Sequence, residues 1–156
     1  MTKPSKRYRF PAAPVADQRL LAVLKKAGHI DAAAASRIER AMSVGTSAID
    51  AVIESEALSE YDLARAIASE LRISLVDLSS NPAEDSGATV ITQSTAQHYG
   101  LVPIRLTKDT MVVAMANPFD QEALRSIESS TRLKLQPVVA TRSQILEAME
   151  IGRAHV

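Results

Sequence analysis

Two stretches of the chain read alike. "LLAVLKKAGHIDAAAASRIERAM" and "AIDAVIESEALSEYDLARAIASEL" each run as helix, tight turn, capped helix, and their starts lie about 28 residues apart. A helical hairpin with one apolar face cannot bury that face alone, so the two pairs must pack together. From Asp17, residues Leu20, Leu21, Val23 and Leu24 form the first apolar stripe, which Gly28 ends. Asp31 is a good N-cap for a second helix through about Met42. "SVGT" (43–46) breaks the chain, and a third, short helix holds Ile49, Val52 and Ile53. Ser59 then caps a fourth helix, with Asp62 in a weak capping-box arrangement and Leu63, Ile67 and Leu71 as its buried stripe.

The period changes after the repeat. "ISLVDL" (73–78) reads as a short strand, and "SSNPAEDSGA" (79–88) as a polar linker. "TQSTAQHYG" (92–100) predicts a short helix ended by Gly100. "LVPIRLT" (101–107) and "MVVAMA" (111–116) flank Lys108-Asp109, which suits a hairpin. Asp120 caps a helix over 120–130. "LKLQPVVA" (133–140) is a further strand, where Pro137 favours an edge or a bulge. Thr141 with Gln144 makes a capping box for a last helix, 142–151. The expected fold class is α+β: an N-terminal bundle of helical hairpins, then a small α/β subdomain of three or four strands. The expected divisions are a flexible basic arm (1–16), a helical subdomain (17–78), the linker (79–88) and the α/β subdomain (89–152).

Composition limits the function classes. Of 156 residues, 46% are hydrophobic, so a core can form, and with 3% aromatics and no Trp it must be aliphatic. Eighteen basic and eighteen acidic residues cancel, which removes the broad electrostatic footprint of a nucleic-acid binder. Without cysteine there is no disulfide, thiolate zinc site or Cys nucleophile. No apolar run approaches a membrane span, and no h-region follows the basic start, so a cytoplasmic location is expected. The arm's Lys3, Lys6, Arg7 and Arg9 could touch an acidic partner or anionic lipid, although a solvated tail is the plainer reading.

Catalytic patterns are missing. There is no G-x-x-x-x-G-K-[ST] phosphate cradle and no G-x-G-x-x-G. His29, His98 and His155 stand apart, without an acid or second His at metal-ligand spacing. His29 follows a helix-ending Gly, where a cation favours the helix dipole. No Ser lies in a nucleophile-elbow context. The residues point to a non-enzymatic domain without a metal or an obligatory cofactor.

"LARAIASELRISLVDL", then "VITQSTAQHYGLVPIRLTKDTMVVAMANPFDQEALRSIESSTRLKLQPVVATRSQILEAME", resembles the N-terminal domain of type II secretion and type IV pilus assembly ATPases, the GspE N-terminal or MshEN domain. The resemblance covers roughly residues 18–151. It rests on a helix leading into L-V-D-L, a strand with V-P, a V-A-M-A-N-P-x-D strand-turn-helix, a P-V-x-A strand and a closing helix. In that family the turn at Asn117–Asp120 is a structural corner. The resemblance implies an accessory domain, with the nucleotide-binding core further along the complete proteins.

Some members bind cyclic di-GMP through two copies of R-L-G-x-x-L-x-x-x-G-x-L…L-x-x-x-L-x-x-Q. Arg would pair with phosphate or stack on guanine, and Gly lets the backbone approach. In the first copy Arg19, Leu20, Leu24, Gly28 and Ile30 match, while Leu21 replaces a Gly and Met42 the Gln. In the second, Ser47-Ala48-Ile49 replaces R-L-G, Glu56 replaces the later Gly and Glu70 replaces Gln. Two added carboxylates disfavour a dianion. Arg19, Leu20 and Gly28 are the candidate ligand residues.

The leading expectation is a module that docks a secretion or pilus motor onto an inner-membrane platform protein, at the inner face of the bacterial inner membrane. The helical hairpins, or an exposed strand edge near Pro137, would present the contact. The alternatives are a cyclic di-GMP sensor with a degenerate motif, and a regulatory N-terminal domain of a bacterial glycosyltransferase.

Overall fold

The computed structural model describes residues 9–80 and 91–154. Four helices come first: α1 (Pro14–Lys26), α2 (Ala32–Ser43), α3 (Ala48–Glu54) and α4 (Glu60–Leu71). Then follow α5 (Gln93–Tyr99), β1 (Leu101–Thr107), β2 (Thr110–Met115), α6 (Gln121–Thr131), β3 (Lys134–Val139) and α7 (Arg142–Ala154). This is the expected α+β class.

The 28-residue repeat holds to the residue. Gly28 N–H donates to Lys25 O and His29 N–H to Leu24 O; Glu56 N–H donates to Ile53 O and Ala57 N–H to Val52 O. Gly28 and Glu56 both take positive φ, 79° and 60°, which closes each first helix. Each second helix is then capped by a side chain, Asp31 accepting from Ala34 N–H and Ser59 from Asp62 N–H. Leu20, Leu24, Ile38, Val52 and Ile67 from the four helices are buried to 1% exposure or less.

The first helix starts at Pro14, ahead of the expected Asp17, because proline suits the first helical turn. Residues 1–8 of the expected arm lie outside the described residues. Its last part is no loose arm: Phe10 sits in the core, and its N–H donates to Asp50 Oδ2 at 3.0 Å.

The sheet has the order β1-β2-β3, with β1 antiparallel and β3 parallel to β2. Lys108, at φ 50°, turns the two-residue hairpin between Thr107 and Thr110. The central strand alternates. Val112 and Ala114 join the core shared with α1–α4 and α7. Met111, Val113 and Met115 join a second core with Ala123, Leu124 and Ile127 of α6. Both faces are covered, which is why β2 reads as one unbroken apolar run.

"ISLVDL" forms less than a strand. It meets β3 through one bridge, Leu75 to Val139, with Val76 N–H donating to Val139 O and Val139 N–H to Ser74 O. That bridge helps close the outer edge of β3. The N–H groups of Lys134 and Ala140 point to β2, onto Asp109 O and Met115 O. Those of Leu135 and Val139 point away, onto Glu128 Oε2 and Ser74 O. Pro137 lies between them with no N–H, so the outward side of β3 presents no unpaired donor. The expected edge position of Pro137 is observed, but that edge is blunted rather than open.

Most of the expected linker, residues 81–88, lies outside the described residues. The helical half and the α/β half share one apolar core on the α1–α4 side of the sheet.

Candidate functional site

The polar residues gather where the two halves meet. The corner Asn117-Pro118 follows β2. Asn117 Oδ1 accepts from Phe119 N–H at 3.2 Å, and Asp120 caps α6 by accepting from Ala123 N–H at 3.1 Å. The Asn117 carboxamide then donates across the seam to Asp17 Oδ1 at 3.2 Å. Asp17 is buried at 4% exposure, and its other oxygen accepts from Ala13 N–H. Burial pushes its carboxyl above the usual 3.8, as does the nearby Asp120; backbone hydrogen bonds from Ala13 and Ala48 and the Asn117 amide oppose the rise.

The second polar group centres on Asp50, which is fully buried in α3. Arg142 Nε, at the start of α7, lies 2.5 Å from Asp50 Oδ1. Arg9 is 3.8 Å from Asp50 Oδ2 and forms a 2.7 Å bridge to Glu54. The next two residues of α7 also reach across. Ser143 donates from its N–H and its hydroxyl to Glu60 of α4, at 3.1 and 2.6 Å. Gln144 donates to Asp77 Oδ1 at 2.9 Å and accepts from Leu78 N–H at 3.0 Å. The expected capping box is half formed: Thr141 Oγ1 accepts from Gln144 N–H, but the Gln144 side chain serves residues 77–78 instead.

This arrangement fastens; it offers little room for chemistry. The crevice beside Asp17, Ser47, Asn117 and Asp120 holds about 20 Å³, space for one water molecule. Among the described residues, no three His, Cys, Asp or Glu side chains group as metal ligands. His29 and His98 stand apart, and His155 lies outside the described residues.

The expected ligand residues are dispersed. Arg19 is exposed on α1 and Leu20 is fully buried beside it, packing the helix to the core. Gly28 lies nine residues beyond Arg19, in the turn that follows α1. Nothing lies within 4 Å of a Cβ built on Gly28, so the space above that turn is open. The second copy places Ser47 where the first has Arg19, and Ser47 is a buried N-cap accepting from Asp50 N–H. The seam residues Asp17, Asp50 and Arg142 escaped sequence reasoning. The unusual signal was acids at Asp17 and Asp50 within helices otherwise apolar on that face.

The family model described as the MshEN domain matches residues 71–150, about half of the chain. The chain belongs to the MshEN domain family. This MshEN chain is 29% identical over 138 residues to the type IV pilus assembly ATPase PilB of Thermus thermophilus, covering 86% of itself and 16% of PilB. Thus it spans about one sixth of that relative. Its fold matches the structure of MshE with cdg (cyclic di-GMP), with TM-score 0.69 and 21% identity, over 85% of this chain and 97% of the other. It also matches the N-terminal domain of XpsE, with TM-score 0.65 and 21% identity, over 96% and 97% of the two chains. An MshEN domain of this kind is an accessory part and not the ATPase core. No helix of the described residues is long and apolar enough to cross a membrane.

Proposed function

We propose that this MshEN domain is a non-catalytic docking module that couples a secretion or pilus assembly motor to an inner-membrane platform protein, at the cytoplasmic face of that membrane. The observation behind this reading is the seam. Asp17–Asn117, Asp50–Arg142 and Glu60–Ser143 join the helical and α/β halves into one body, while the crevice among them admits only a water. Two halves fastened together at such a seam suit the presentation of a surface. Because the outer side of β3 lacks a free donor, the helical hairpins suit the contact better than the strand edge near Pro137. Size-exclusion chromatography of this chain with the cytoplasmic part of the cognate platform protein tests it. A co-eluting complex is expected; separate elution at every concentration would sink the reading.

A second reading, a cyclic di-GMP sensor, draws on the open turn at Gly28 and on the exposed Arg19 of α1. Against it stand the buried Ser47 and the Glu56 carboxylate in the second copy. Calorimetric titration with cyclic di-GMP, using Arg19→Ala as control, separates the two readings. Binding lost in the variant would establish the sensor.

A further inference from the structure

A groove of about 390 Å³ lies between α5 and α6. Ala96 of α5 packs with Ala123, Leu124 and Ile127 of α6 in the second core. That core is on the side of β2 opposite Val112, Ala114 and the helical hairpins. The groove is therefore separate from the motif positions on α1–α4.

Its walls are rich in hydroxyls. Ser94 and Thr95 line it from α5, Ser126 and Ser130 from α6, and Ile127, at 1% exposure, lies at its base. No Asp, Glu, Lys or Arg among the described residues lines it. Four-residue spacing sets Ser126 and Ser130 on one face of α6, and Ser94 and His98 on one face of α5. Ser94, Ser126 and His98 make no hydrogen bond to another described residue. Thr95 Oγ1 accepts from Thr92 Oγ1 at 2.9 Å and keeps its own proton to donate. Ser130 Oγ donates to Ile127 O at 3.2 Å and keeps its lone pairs to accept. Serine is a poorer helix former than alanine, and Ser126 returns no bond to its own helix. The His98 and Tyr99 rings meet edge to face, 4.7 Å apart at 79°, and give the same groove an aromatic side.

We propose that this groove binds an uncharged polyhydroxy compound of sugar size. Hydroxyls and a neutral imidazole both donate and accept, which matches a ligand whose own groups do both. A phosphate or carboxylate would find no facing cation there, and an amine no facing carboxylate. The C–H face of a sugar ring lies towards Tyr99, while its hydroxyls reach Ser94, Ser126 and His98. The volume is in the ordinary range for small-molecule sites. The proposal rests neither on platform docking nor on cyclic di-GMP.

Two-dimensional amide NMR spectra of the isotope-labelled full chain test this, with maltose and myo-inositol each titrated to about 50 mM, enough to register a millimolar Kd. Saturable shifts confined to residues 94–99 and 126–130 are expected with at least one of them. Ser126→Ala with His98→Ala should weaken that binding about tenfold. Ser130→Trp should block it, and unchanged shifts in the rest of the spectrum would show that the fold is kept. Failure to saturate with either compound would overturn the proposal, as would binding that survives Ser130→Trp. Tighter binding of glucuronate than of maltose would overturn it too, since the site would then select charge.

Discussion

The Asn117 carboxamide reaches the Asp17 carboxylate at 3.2 Å across one hundred positions of sequence. This contact makes the corner after β2 a joint between the two halves of the domain. It also places a buried acid under the pull of opposing effects. Burial raises its pKa above 3.8, so the folded chain holds a proton that the unfolded chain has already released. The stability from this group is therefore full below 3.8 and is lost as pH rises through the raised value. Melting curves from about pH 4 to about pH 7 should show wild type losing stability relative to Asp17→Asn. Parallel curves would refute the perturbed carboxyl.

Arg142→Ala should destabilise by about 3 kcal/mol, because it strips the buried Asp50 of its nearest cation. Arg142→Lys should recover part of the loss. Urea titration measures both, and a change below about 0.5 kcal/mol in the alanine variant would mean that Arg9 and Phe10 N–H suffice.

Asp120→Ala should cost about 1 kcal/mol through the lost cap on Ala123 N–H. Its effect on partner binding should be nil. Unchanged stability together with lost binding would move this corner from scaffold to contact surface.

Two glycines should respond differently to alanine. At Gly100, φ is +67° and an added Cβ would sit 2.8 Å from the Phe10 ring, so strain and overlap combine. At Gly28 the φ is also positive but the space is empty, leaving a cost of about 1 kcal/mol. Thermal denaturation should rank Gly100→Ala clearly below Gly28→Ala; the reverse order would show that Phe10 moves aside freely.

Much of this fold was legible because its signals are local. Asp31, Ser59 and Asp120 each cap a helix within three residues of themselves, and apolar spacing located the four first helices. The repeat was legible for the same reason, since each copy closes its turn with its own neighbours. Phe10 was misread because Pro11 and Pro14 made its surroundings look like a tail, although proline at a helix start was the available clue. "ISLVDL" carried strand composition, yet it finds β3 at only one residue. The seam left no periodic trace. Asp50 and Arg142 are 92 positions apart, and nothing near either residue announces the other. Of the ligand candidates, Leu20 is buried in the core while Arg19 is exposed.

The first turn of α7 holds to α3 through Arg142, to α4 through Ser143 and to residues 77–78 through Gln144. Three successive side chains thus moor one helix at three separate points. Any twist of α7 about its axis must break these bonds together or carry the hairpins with it. Residues 142–144 thus tie the movement of α7 to that of the helical hairpins.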